Sequence, residues 1–250
     1  MRIAIASQKG GTAKTSSSIS LAAGLAKKNK KVLLIDADSQ ASSSKVLLKN
    51  YQSLSKEQTL YSTVIQFNPL PLHQTTIPNL TVVPSHILLA DTDLELATAL
   101  DHRESRIKNE LDKIKDRFDY IFFDCPPTLG WLTINALSAA SHVIVCCAPG
   151  YFELDSIAAI NKSLTKVQRF FNPEINLLGY LFTMSDSTRN SAISLQVLRQ
   201  TYTDKVFKTV IPRNTDLRDA HMNQQDIFSY SPNSNAGQAY NRLIEELFHL

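Results

Sequence analysis

Short apolar runs punctuate the chain: RIAIAS (2–7), KVLLIDA (31–37), LTVVP (80–84), YIFFD (120–124), HVIVCCA (142–148), NLLGYLFT (176–183) and KVFKTVI (205–211). Most are apolar almost without interruption instead of alternating with polar positions. That pattern predicts strands buried on both faces, and hence a parallel sheet covered by helices. Helical spacing fills the intervals. Ile19, Leu21, Ala22, Leu25 and Ala26 form one apolar stripe, and Leu154, Ile157, Leu164, Val167 and Phe171 form another within 153–171. The alternation predicts an α/β fold: a doubly wound, mostly parallel sheet with helices on both faces. Ligands of such sheets sit at the carboxyl ends of the strands. The stretch 41–79 breaks the rhythm. It is polar, carries Pro69, Pro71 and Pro78, and has irregular apolar spacing. It reads as short helices and loops inserted between strands. No other segment reads as a linker, so residues 1–250 are expected to form one domain.

The first strand should end near Ser7 and a helix should start near Lys14. The junction between them reads SQKGGTAKTSSS (7–18). A phosphate loop of the G-x-x-x-x-G-K-[ST] type ending at Lys14-Thr15 would need glycine at positions 8 and 13, which here are Gln8 and Ala13. The chemistry of such a loop is nonetheless present. Gly10 and Gly11 let the backbone approach an anion and aim N–H groups at it. The helix N-terminus adds about half a positive charge. Lys14 would reach terminal phosphates and the Thr15 hydroxyl would bind Mg²⁺. The competing reading is a glycine-rich turn with two surface lysines, Lys9 and Lys14.

Two further strand ends bear on that choice. LLIDADSQ (33–40) places Asp36 at the end of a buried strand and Asp38 two residues on, where a carboxylate faces a metal or holds an attacking water. YIFFDCPPTLG (120–130) leads four apolar residues into Asp124, the arrangement of a Walker B strand whose aspartate orients Mg²⁺. Pro126 and Pro127 then forbid a helix directly after the strand. Taken singly, each aspartate also reads as an ordinary strand end. In this order on successive strands, the three motifs point to phosphoryl-transfer chemistry.

Composition constrains the remainder. The 250 residues are 43% hydrophobic and 20% charged, with a net charge of +3. That mild basicity permits an acidic partner without requiring one. Cys125, Cys146 and Cys147 make a poor disulfide framework, since two of the three are adjacent. Buried free thiols are expected, which suits a reducing, cytoplasmic setting. The opening MRIAIAS is too short for a signal-peptide core, and no apolar run approaches the ~20 residues of a membrane span.

KGGTAKTS, LLIDADSQ, FDYIFFDCPPTLG and VIPRN (210–214) resemble the ParA/Soj chromosome- and plasmid-partitioning ATPases, within the deviant-Walker group that includes MinD. Softer matches extend the resemblance across the chain, among them LTVVPSHILLADTDLEL (80–96) and YFELDSI (151–157). The resemblance implies ATP and Mg²⁺ as cofactors. Lys9 matches the signature lysine that reaches across an ATP-sandwich homodimer to the partner's phosphates, and Gly10, Gly11, Thr12, Ala13, Lys14, Thr15 and Ser16 match the phosphate loop. Asp38 matches the water-positioning aspartate. Thr15, Asp36 and Asp124 match the metal side of the site, and Pro212, Arg213 and Asn214 match the segment beside the adenine. The resemblance further implies a dimer that binds non-specific DNA, a nucleoid-associated state when ATP is bound, and hydrolysis stimulated by a ParB/Spo0J-like centromere-binding protein.

The chain departs from the family pattern in several places. Arg189 falls one position from a DNA-contact arginine, and the second such arginine falls on Asp216, with Arg218 two residues on. Ala13 replaces a glycine, which matters if its φ is positive. Ser39 replaces a common proline. Gly150 stands where many relatives carry a glutamate, so a partner-facing contact is either missing or supplied by Glu153.

Three alternatives remain at this level. A MinD-like membrane ATPase would end in a basic amphipathic helix. Here Tyr240, Leu243, Ile244, Leu247 and Phe248 form a stripe flanked by Glu245 and Glu246, so the helix is expected to pack on its own domain. The loop begins at position 7, so the long plasmid type with its own operator-binding domain is not expected. A non-hydrolysing ATP-switch scaffold is kept open by Ala13. An iron-sulfur carrier would need paired cysteines on one face, whereas neighbours in a strand point to opposite faces.

Overall fold

In the computed structural model, residues 1–150 and 153–249 are described, with the backbone alone for 153–156. The expected roles of Leu154 in a helical stripe and of Glu153 as a replacement contact therefore lie outside the described residues. The chain runs β1 (Arg2–Ala6), α1 (Lys14–Lys27), β2 (Val32–Asp36), α2 (Ser42–Leu47), α3 (Leu60–Gln66), β3 (His73–Gln74), β4 (Leu80–Val83), α4 (Thr92–Thr98), α5 (Arg106–Leu111) and β5 (Tyr120–Asp124). It continues through α6 (Trp131–Ala139), β6 (His142–Cys147), α7 (Glu153–Phe170), β7 (Asn176–Phe182), α8 (Arg189–Tyr202), α9 (Thr215–Met222), α10 (Ile227–Tyr230) and α11 (Asn235–Phe248).

Among the described residues the strands form one sheet in the order β3-β4-β2-β5-β1-β6-β7. All neighbours pair in parallel except the short edge strand β3. The order places β1, β2 and β5 side by side. Asp36 and Asp124 are direct register partners at the carboxyl edge. The three sequence motifs thus converge on one end of the sheet.

The continuous apolar runs are explained by two cores, one on each face. Ala4, Leu33, Ile35, Phe123, Val145 and Cys147 point to the side covered by α3, α5, α6 and α7. Ile3, Ile5, Leu34, Phe122, Ile144 and Cys146 point to the side covered by α1, α10 and α11. Cys146 and Cys147 therefore face opposite cores. All three cysteines are buried, and none is in a disulfide. Burial pushes the Cys146 thiol up to about 12, so it stays protonated and inert.

Two expectations are corrected. The run 205–211 is not a strand. Val206 and Pro212 make single bridges to Tyr180 and Ser185, but the Lys208 and Thr209 N–H groups donate to the Glu246 carboxylate at 2.7 and 2.9 Å. A side chain of α11 thus takes the donors that a continuous ladder would need. The second correction lies in 41–79, which contains β3 besides its helices and loops. β3 is only two residues long and lies at a polar edge, so it carries no apolar signature.

The stripe on α11 packs as expected. Tyr240, Leu243 and Ile244 are fully buried, and Phe248 meets Tyr120 edge-on at 4.9 Å between centroids. Gly24 on α1 allows this close docking, because a Cβ there would overlap the Ile244 side chain.

Candidate active site

The turn after β1 curls around the carbonyl of Lys9. That oxygen accepts from Ser7 Oγ at 3.3 Å, Thr12 Oγ1 at 3.4 Å and Lys14 Nζ at 3.4 Å. Gly11 takes φ 76°, a left-handed conformation glycine adopts without strain. Ala13 also takes the left-handed region, at φ 55° and ψ 28°. An L-residue there bears about 1–2 kcal/mol of steric strain. The positive-φ case raised by the sequence is therefore the one realised.

From Ala13 the helix α1 begins, with the Ser17 N–H donating to the Ala13 carbonyl at 2.9 Å. No side chain caps it and its first turn contains no acidic residue. The amides of a helix's first turn have no intrahelical acceptor. They are presented here beside Lys14, whose side chain is buried in the loop. An uncapped helix end with a buried lysine is a site built for an anion. Just beyond β7, the Thr183 hydroxyl donates to the Thr12 carbonyl at 2.9 Å and ties the loop to that strand end. Lys9 is exposed at the mouth, and Thr15 and Ser16 are half-buried in the first turn.

The loop opens on a cleft of about 430 Å³, lined among others by Lys9, Thr12, Met184, Asp186 and Arg213. Of the segment Pro212–Asn214, Arg213 reaches this wall. Its N–H donates to the Ser185 carbonyl at 2.7 Å. Asn214 Oδ1 accepts from the Leu217 N–H at 3.3 Å and caps α9.

Opposite the loop stand the two buried carboxylates. Asp124 Oδ1 accepts from the Ser18 hydroxyl at 3.1 Å, and Oδ2 from the Ser43 hydroxyl at 2.6 Å. Burial raises its pKa, against the hydroxyls of Ser43 and Thr15 and the nearby charge of Lys14, which lower it. Burial also raises Asp36, with the charge of Asp124 adding to the effect. Asp36 Oδ2 accepts from both the N–H and the hydroxyl of Ser44, at 2.8 and 2.7 Å, and Oδ1 from the Asp38 N–H at 3.2 Å. Asp38 itself is half-buried, and its Oδ1 accepts from the Gln40 N–H at 3.0 Å.

Two adjacent carboxylates out of water call for a cation. No cluster of three or more His, Cys, Asp or Glu side chains gathers among the described residues. The donors therefore suit an ion that takes most of its oxygens from phosphate and water, as Mg²⁺ does. Thr15 and Asp124 would hold it, with Asp36 beside them.

The sequence reading missed Ser18, Ser43, Ser44 and Ser85, which hold these carboxylates and the backbone around them. The serine runs 16–18 and 42–44 were the available signal. Arg189 and Arg218 lie outside the cleft. Arg189 opens α8 and is exposed, next to the cleft residues Thr188 and Asn190. Arg218 is 72% exposed on α9 and sits 3.5 Å from Asp219.

A family model described as an AAA domain matches residues 1–177. The sporulation initiation inhibitor protein Soj of Bacillus subtilis is 36% identical over 98% of this chain and 97% of its own. Among solved structures, a putative plasmid partition protein of Borrelia burgdorferi bound to AMPPNP has a TM-score of 0.85 and 26% identity, covering 99% of this chain and 98% of its own. A Mycobacterium smegmatis protein described as cobyrinic acid a,c-diamide synthase, with ADP and magnesium, has a TM-score of 0.83 and 29% identity, covering 98% and 92%. With its phosphate loop, paired aspartates and full-length likeness in accord, the chain belongs to the Soj/ParA family of chromosome-partitioning ATPases.

Proposed function

We propose that this protein binds ATP with Mg²⁺ in the cleft beside α1, dimerises across the nucleotide through Lys9, and in that state binds DNA without sequence preference. A ParB-like centromere-binding protein then stimulates hydrolysis and releases the dimer. The observation that carries this reading is the uncapped N-terminus of α1, with Lys14 buried in its loop, facing two buried carboxylates at neighbouring strand ends. The nucleotide-bound relatives support it.

The residues divide the work. The first-turn amides of α1 and Lys14 take the charge of the terminal phosphates, and Gly10 and Gly11 admit them to the backbone. Mg²⁺ supplies charge neutralisation on the phosphate oxygens. Asp38, half-buried at the mouth, orients the attacking water. Lys9 contributes a positive charge to the partner's phosphates, a contribution in trans that other phosphoryl-transfer enzymes exploit for about 10³–10⁵ in rate. Arg189 and Arg218 are exposed cations suited to DNA phosphates, contacts whose affinity falls steeply with salt.

A membrane-docking role has little support. The apolar stripe of α11 is buried in the domain's own core, and Glu246 is engaged by the backbone of Lys208 and Thr209. The decisive experiment measures molecular mass in solution, DNA binding and ATP turnover, with ADP or ATP, for wild type and Lys9→Ala. ATP-dependent dimerisation and DNA binding in wild type, lost in Lys9→Ala, are expected. Nucleotide-independent behaviour in both proteins would refute the reading.

A further inference from the structure

A closed circuit of hydrogen bonds surrounds the backbone of Asp38. The Ser85 hydroxyl, just beyond β4, donates to the Asp38 carbonyl at 2.6 Å. The Ser85 N–H donates to Ser44 Oγ at 2.9 Å. The Ser44 hydroxyl donates to Asp36 Oδ2 at 2.7 Å, and Asp36 Oδ1 accepts from the Asp38 N–H at 3.2 Å. The ring therefore joins the ends of β2 and β4 to the first turn of α2. Asp36, Ser44 and Ser85 are fully buried. Only Asp38 reaches the surface of the site.

Both amide groups flanking the Asp38 α-carbon are thus held from buried positions. The direction of its side chain follows from those two anchors. We propose that Ser85, working through Ser44 and the Asp38 carbonyl, is a positioning residue for the water-orienting carboxylate. The Ser85 side chain is fully buried and its hydroxyl is spent on the Asp38 carbonyl, so it acts through Asp38. This inference rests on the ATPase reading above and adds to it a residue the motifs do not include. Hydrogen bonds in a buried ring of this kind fix geometry more tightly than the same bonds exposed to water. A displacement of about 1 Å at a reacting group costs up to ~10²-fold in rate.

A purely structural role for Ser85 is the competing explanation, and the geometry makes the two separable. The Asp38 carbonyl also accepts from the Ala41 N–H at 2.8 Å. Removing the Ser85 hydroxyl therefore leaves no orphaned carbonyl, and Ser85→Ala is expected to fold.

The test compares wild type, Ser85→Ala, Asp38→Ala and the double variant in single-turnover ATP hydrolysis, alongside nucleotide affinity. Ser85→Ala should lower the hydrolytic rate by about 10- to 10²-fold with KM for ATP within about 2-fold. In the Asp38→Ala background the same substitution should change the rate by less than about 2-fold, because the carboxylate through which it acts is gone. A wild-type rate in Ser85→Ala, or an equal loss in both backgrounds, overturns the proposal while leaving the ATPase reading intact. Absence of turnover in wild type overturns the ATPase reading and this proposal with it.

Discussion

Replacing Ala13 by glycine should stabilise the protein, despite the greater freedom of glycine in the unfolded chain. Ala13 sits at φ 55° and ψ 28° as the N-cap of α1, with no side-chain cap bond to lose. Relief of left-handed strain is worth about 1–2 kcal/mol. The greater freedom of glycine in the unfolded chain returns about 0.4–1 kcal/mol. The balance is a gain of roughly 0.5–1 kcal/mol. For a chain of this size that corresponds to about 1–4 °C in Tm. Ala41 gives an internal comparison. It is the N-cap of α2 at φ 54° and ψ 36°, also without a side-chain cap bond. Ala41→Gly should gain less, because the Ala41 methyl is buried and its removal costs about 0.8 kcal/mol. The assay is thermal unfolding followed by far-UV circular dichroism, without and with saturating nucleotide. The gain at position 13 should appear in both states, with nucleotide affinity little changed. A lowered Tm in Ala13→Gly, or a gain confined to Ala41→Gly, would refute the strain assignment.

Other expectations follow from the same geometry. Asp36 and Asp124 have folded-state pKa values above the ordinary 3.8. Such acids bind more protons folded than unfolded, so their contribution is most favourable at low pH and is lost as pH rises through the raised values. Between about pH 5 and pH 8 the nucleotide-free protein should therefore lose more Tm than Asp36→Asn does. An equal pH dependence in the two proteins would contradict this. Gly24→Val should cost about 1–3 kcal/mol in denaturant unfolding, because the new side chain meets Ile244 and Phe228 at the α1–α11 contact; unchanged stability would show that α11 is not docked there. Sedimentation with anionic lipid vesicles should recover no protein in either nucleotide state, and recovery would mean that α11 leaves the core.

The location of the candidate site was legible because its parts are local in sequence. Lys9 to Thr15, Asp36 to Asp38 and Asp124 each lie at a strand end, and an apolar run followed by a carboxylate marks that place without any tertiary information. The parallel sheet was legible for the same reason, since strands buried on both faces must be apolar at every position. The stripe on α11 likewise announced its own burial. What sequence periodicity could not show was set by partners far along the chain. Ser18 and Asp124 meet across 106 positions, and Ser44 and Ser85 across 41. The run 205–211 has the composition of a strand, yet Glu246, 38 residues beyond Lys208, takes its amide donors. Ala13 carries nothing in its identity that reveals a positive φ; the turn between β1 and α1 imposes it. The sequence alone therefore determined which segments are buried and which side chains stand at the carboxyl ends of β1, β2 and β5. Only the tertiary structure decided how they are held, because a hydrogen bond depends on where two groups meet in space and leaves no period in the chain.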